Sequence, residues 1–131
     1  MDNQVVPSSP ANRVLLIDDD PLQLRVREAV LRDAGLEVDV ATTAETALGF
    51  LRTEAGDRIG AIVTDHVMPG ASGAVFVRAL RELKPKVPVI VISGMADAEE
   101  EYEGLNVFFR MKPCPPPELI RLVRTSLPKA K

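Results

Sequence analysis

The chain has 131 residues, of which 46% are hydrophobic and 27% charged, with a formal net charge of −3. That balance suits one soluble domain with its own core, and the length leaves no room for two. Lys and Arg are scattered along helical stretches rather than clustered, so no surface for a phosphate backbone is expected. The one cysteine, Cys114, excludes an internal disulfide and fits a reducing compartment. No apolar run approaches the ~18–20 residues of a membrane span, and the polar start Met1-Asp2-Asn3-Gln4 has no signal-peptide core. A cytoplasmic protein with no nucleic-acid or membrane partner is expected.

Residues 1–12 hold two prolines and two serines without useful periodicity and read as a disordered arm. Val14-Leu15-Leu16-Ile17 is the first strand, stopped by Asp18-Asp19-Asp20. Asp20 can cap the following helix, with Pro21 at its first position, where the missing N–H costs nothing. That helix runs to about Ala34, and Gly35 supplies a left-handed stop. A weaker second strand covers Glu37 to Ala41. Thr42 and Glu45 then match a capping box for a helix with Ala44, Ala47, Leu48 and Leu51 on one face. Ile59 to Thr64 is the third strand, ending at Asp65. The segment His66 to Ala71 contains Met68-Pro69-Gly70 and reads as loop. Ser72 can cap a third helix, carrying Val75, Phe76, Ala79, Leu80 and Leu83 at helical spacing. Val87 to Ile92 is the most hydrophobic strand, as burial on both faces requires. Ala96 to Glu103 is acidic and a poor fourth helix. Asn106 to Met111 is the fifth strand, and Pro116 to Leu127 the last helix, with Leu119, Ile120, Val123 and Leu127 facing inward. The domain proper is therefore expected over 13–127, with a short tail over 128–131.

A strict β-α alternation with short connections predicts one parallel sheet covered by helices on both faces. Ligands of such sheets bind outside the carboxyl ends of the strands. Five polar residues fall at those ends: Asp18, Asp19, Asp65, Ser93 and Lys112. Two carboxylates ~4 Å apart repel by about 4 kcal/mol at an effective dielectric near 20. A hard divalent cation removes that cost, and oxygen-only ligation at an incomplete site favours Mg²⁺ over zinc. A lysine and a hydroxyl opposite the metal complete a clamp for a transferring phosphoryl group, and one carboxylate can then serve as nucleophile. Taken singly, each residue could be a turn, a cap or a solvated strand end, but all of them fall at one edge of the sheet. His66 and Cys114 carry no sign of metal or redox chemistry.

Val14 to Pro21, Asp65 with Met68-Pro69 and Gly73, Ser93-Gly94, and Lys112-Pro113 closely resemble the receiver domains of two-component response regulators, from Arg13 to about Leu127. The resemblance implies a flavodoxin-like, doubly wound five-stranded sheet in the order 2-1-3-4-5. It makes the chain a regulatory phosphoacceptor rather than an enzyme, catalysing only its own phosphorylation and dephosphorylation. Asp65 would accept a phosphoryl group from phosphohistidine on a sensor histidine kinase or a histidine phosphotransfer protein. Asp19, Asp65 and the backbone carbonyl of Val67 would ligate Mg²⁺, with Asp18 acting through water. Lys112 and Ser93 would hold phosphoryl oxygens, Phe109 would be the switch aromatic, and Lys112-Pro113 would be cis. Val67 and Met95, two residues after the phosphoacceptor and the hydroxyl residue, would be the gatekeepers of hydrolysis.

Three positions depart from the family pattern. Only 19 positions separate Ser93 from Lys112, so the fourth helix is expected to be shortened. The switch aromatic is Phe rather than the frequent Tyr, and Cys114 replaces a common Phe. Two rival readings are a haloacid-dehalogenase-like, Mg-dependent phosphatase, using Asp18-Asp19-Asp20 as its signature, and a receiver-like module that is never phosphorylated. The first lacks room for a cap domain and leaves Asp65 to Pro69 unexplained; the intact acidic site argues against the second. With no output domain after Lys131, the chain reads as a stand-alone regulator or as the receiver of a hybrid kinase.

Overall fold

The computed structural model describes residues 11–68 and 72–128. The disordered arm and short tail expected from the sequence therefore lie largely outside the described residues, as does the Pro69-Gly70-Ala71 part of the loop after Asp65. Five strands, β1 (Arg13–Ile17), β2 (Glu37–Ala41), β3 (Ile59–Asp65), β4 (Val89–Ser93) and β5 (Phe108–Met111), alternate with four α-helices. The helices are α1 (Pro21–Asp33), α2 (Ala44–Leu51), α3 (Gly73–Leu83) and α4 (Pro116–Ser126). Two 3₁₀ segments, Ala55–Arg58 and Ala96–Tyr102, complete the described order. All neighbouring strands pair in parallel, in the order β2-β1-β3-β4-β5.

The period-2 alternation of strand side chains sorts the core onto the two faces of the sheet. Leu15, Ile17, Ile62, Val89 and Val91 join Leu51, Phe76, Val77, Leu80 and Tyr102 in one cluster, from α2, α3 and the second 3₁₀ segment. Val14, Leu16, Val63, Ile90 and Ile92 join Leu24 and Leu31 of α1 and Leu119, Leu122 and Val123 of α4 in the other. Every residue of β3 and β4 is buried, as expected of strands covered on both faces.

Local signals explain most element ends. Asp20 accepts from the backbone N–H groups of Leu22 and Gln23 at the start of α1, and Gly35 leaves it with φ of 88°. Ser72 accepts from the N–H of Val75 at the start of α3. Four boundaries differ from the sequence reading. The cap of α2 is Thr43 rather than Thr42: its extended backbone aims Oγ1 at the N–H of Thr46, 3.0 Å away. β4 begins at Val89 rather than Val87, since Pro88 has no N–H to give a ladder; its carbonyl still accepts from Ile62. β5 begins at Phe108 rather than Asn106, because Gly104 and Asn106 take positive φ of 81° and 59° and turn the chain before it can extend. The fourth helical segment is a 3₁₀ run, without a side-chain cap and crowded by Asp97, Glu99, Glu100 and Glu101. α4 stops at Ser126; Leu122 joins Leu119 and Val123 as fully inward, while Ile120 and Leu127 are only partly buried.

Candidate functional site

Parallel pairing in register brings the carboxyl ends of β1, β3, β4 and β5 to one edge of the sheet. Asp18 follows β1 directly and is 1% exposed; Asp65 ends β3 and is 6% exposed. Buried carboxylates must be hydrogen-bonded or paired, and both are. The Asp65 Oδ1 atom accepts from the N–H of His66 at 3.0 Å, and Oδ2 lies 3.3 Å from both Lys112 Nζ and Gln23 Nε2. Asp18 Oδ1 accepts from the N–H of Asp20 at 3.0 Å. Its Oδ2 receives the Gln23 amide and the guanidinium of Arg27, the latter at 3.1 Å. One amide nitrogen, that of Gln23, thus bridges the two acids.

Of the residues expected at the site, Asp18, Asp65 and Lys112 converge. Asp19 is exposed beside them. Ser93 is fully buried at the end of β4, where its hydroxyl accepts from the N–H of Met95 at 2.9 Å and so turns toward its own loop. Val67 and Met95 carry exposed side chains on the loops after β3 and β4. Phe109 on β5 is half-buried, its ring 5.9 Å from that of Tyr102. The Lys112–Pro113 bond is cis. Gln23 and Arg27 were not foreseen; their signal was the i, i+4 spacing on the helix that follows the Asp18-Asp19 pair.

His66 is buried, with Nδ1 2.7 Å from the Tyr102 hydroxyl and Nε2 3.6 Å from Glu101. Burial, and then the charges of Glu101 and Asp65, raise the Tyr102 phenol above its ordinary range. At Gly73 a Cβ would collide with the Tyr102 hydroxyl and stand 2.9 Å from the Asp65 carbonyl oxygen, so only glycine fits there. Burial and Glu118 push the Cys114 thiol up, which keeps it protonated.

Among the described residues no three Asp, Glu, His or Cys side chains form a ready-made metal cage. The donor set still suits Mg²⁺, which keeps several waters and is held through one or two carboxylates and phosphate oxygens rather than by an all-protein cage. Two buried carboxylates sharing one amide nitrogen, with no sulfur or imidazole between them, are donors of that kind.

A doubly wound parallel sheet with paired carboxylates and a lysine at its carboxyl edge has the architecture of a phosphoacceptor switch. The chain belongs to the family of response regulator receiver domains, whose model matches residues 14–124. The alkaline phosphatase synthesis transcriptional regulatory protein of Synechococcus elongatus is 30% identical over 97% of this chain and 54% of its own length. The C4-dicarboxylate transport transcriptional regulatory protein of Pseudomonas aeruginosa is 35% identical over 92% of this chain and 26% of its own. The crystal structure of a response regulator receiver protein from Pseudomonas putida is 30% identical with a TM-score of 0.79, covering 92% of this chain and 99% of that one. The chain spans about half or less of the length of these curated relatives. It is thus a receiver domain of two-component signal transduction, a regulatory rather than a classical enzymatic unit. No helix among the described residues is long and apolar enough to cross a membrane.

Proposed function

We propose that Asp65 is the phosphoacceptor of this receiver, taking a phosphoryl group from phosphohistidine on a sensor histidine kinase or histidine phosphotransfer protein in the cytoplasm. The observation that carries the proposal is the Asp65–Lys112 contact at 3.3 Å, at the sheet edge where Asp18 also lies. A carboxylate oxygen of Asp65 attacks phosphorus, the P–N bond to the donor imidazole breaks, and that nitrogen leaves with its electron pair and takes up a proton. Lys112 offers its ammonium to a phosphoryl oxygen as charge shifts there, and the Ser93 hydroxyl can leave its Met95 contact to hold another.

Asp19, Asp65 and the Val67 carbonyl would hold Mg²⁺, with Asp18 acting through water; when bound, the ion neutralises the acids and the phosphoryl oxygens. The residues catalyse only the chain's own phosphorylation and dephosphorylation. What the relatives' names say of transcription belongs to those longer proteins. The test is intact mass after incubation with acetyl phosphate and Mg²⁺. One added phosphoryl group, removed by hydroxylamine and absent in Asp65→Asn, is expected. Labelling that survives in Asp65→Asn but vanishes in Asp18→Asn would move the nucleophile to Asp18.

A further inference from the structure

Arg27 has no place in the chemistry described so far, yet it is one of the least exposed cations at the site. Its side chain is 12% exposed, and it meets Asp18, itself 1% exposed, at 3.1 Å. Lys112, more exposed, faces Asp65 at 3.3 Å. The pocket therefore holds two buried carboxylates against two cations, with Gln23 bridging the acids. The two buried acids are thus matched by two cations without a metal, and Asp19, exposed beside them, adds a third carboxylate. A divalent ion entering between Asp18 and Asp65 adds two positive charges to a poorly solvated space. Asp18, which would reach such an ion through water, already has its Oδ2 engaged by Gln23 and Arg27. Like charges this close repel strongly where water is scarce. A cation has to yield, and Lys112 is needed at Asp65.

Arg27 has somewhere to go. It lines a cleft of about 460 Å³ between α1 and the start of α4, with Val26, Val30, Lys112, Pro113 and Leu119 around it. A guanidinium withdrawn from Asp18 can lay its stem along these apolar walls and keep its charge toward solvent.

We propose that Arg27 is the internal counter-ion of the acid pocket, holding Asp18 in the metal-free protein and competing with the divalent cation for it. Arg27 is thereby a positioning residue that sets the metal affinity of the switch. The inference rests on the reading that the pocket takes Mg²⁺. It demands a linked pair of effects: whatever stability Arg27 gives the metal-free protein is subtracted from metal binding.

Calorimetric titration with Mg²⁺ and thermal melting with and without it test this on the full chain, its Arg27→Gln, Arg27→Lys and Arg25→Gln variants. Arg25 lies exposed on the same helix and controls for long-range charge. Arg27→Gln should melt lower than the parent without metal, because Asp18 is left buried and uncompensated, yet bind Mg²⁺ about tenfold tighter. Saturating Mg²⁺ should then close the gap in melting temperature. Arg25→Gln should change affinity less than about twofold, since an exposed charge is screened. Equal affinity in the parent and Arg27→Gln, with a melting gap that persists in Mg²⁺, would make Arg27 purely structural and overturn the inference while the metal site stands. An equal gain in Arg25→Gln would overturn it too, leaving only bulk electrostatics. No Mg²⁺ binding by the parent would remove the reading of the site and the inference together. Should Arg27→Gln not fold without metal, Arg27→Lys decides: its shorter, more strongly hydrated ammonium should hold Asp18 less well and give an intermediate affinity, and an unchanged one overturns the competition.

Discussion

Asp65, the proposed phosphoacceptor, is only 6% exposed, and the side chains two residues beyond it and two beyond Ser93 are apolar and open to solvent. Val67 is 60% exposed and Met95 47%, on the loops that follow β3 and β4. An aspartyl phosphate is lost when water attacks phosphorus in line with the departing Asp65 oxygen, so a group that orients such a water accelerates loss. Val67 has no polar side-chain atom and Met95 only a weakly accepting thioether, so neither can orient an attacking water, and both are bulky enough to crowd one out. Gly94, between Ser93 and Met95, has nothing within 4 Å of where a Cβ would stand, which leaves room for a donor imidazole. Slow loss of the phosphoryl group is therefore expected from the parent. A Val67→Asn, Met95→Glu variant should lose it about tenfold faster, a gain below the roughly 10²–10⁴-fold of an optimally positioned acid–base group, because neither new side chain has a partner to fix it in line. Decay of the phosphorylated protein after removal of phosphodonor measures this; equal rates would remove both residues from the path.

At the level of elements, the cap of α2 offers a clean contrast between adjacent threonines. Thr43 accepts from the N–H of Thr46, and its own hydroxyl donates to that of Thr46 at 2.9 Å. Thr43→Ala should therefore cost about 1 kcal/mol in urea unfolding, whereas Thr42→Ala should stay within about 0.5 kcal/mol. The reverse ranking would restore Thr42 as the cap. That one-residue displacement shows what the chain discloses before folding and what it withholds. The five strands and the placement of Asp18, Asp65, Ser93 and Lys112 at their ends were legible, because apolar runs and their polar stops are local signals, whereas the strand order came from the family resemblance. Gln23 and Arg27 were not: polar residues on α1 read as solvated until Leu24 and Leu31 fix how the helix rolls onto the sheet. Tyr102 was hidden for a similar reason. It closes an acidic stretch of weak helical period, and only the 3₁₀ winding carries its ring inward beside Phe109.

Tyr102 is also where the molecule as a whole is tied together, since its ring is 3% exposed in the core cluster that α2, α3 and the sheet share. Its hydroxyl meets His66 after β3, crowds Gly73 at the start of α3, and its ring meets Phe109 on β5. Ionising the phenol would bury a negative charge between Glu101 and Asp65, and only the charge of Arg78 opposes the resulting upward shift. In the unfolded chain the phenol titrates near pH ~10. The folded value lies above it, so the contribution of this group to stability is complete below pH ~10 and is lost as pH rises toward the folded value. The slope is about 1.4 kcal/mol per pH unit for one proton. Tyr102→Phe has no such proton. It also leaves His66 Nδ1 without its partner, so near pH ~8 it should be less stable than the parent by about 1 kcal/mol. Above pH ~10 the parent should lose its lead by about 1.4 kcal/mol per unit, while titrations common to both proteins cancel. Urea unfolding of the two proteins at several pH values between about 8 and 11 reads the gap directly. A gap that stays constant over that range would mean that the folded phenol ionises as readily as the unfolded one, and Tyr102 would then not be the alkaline limit of the fold.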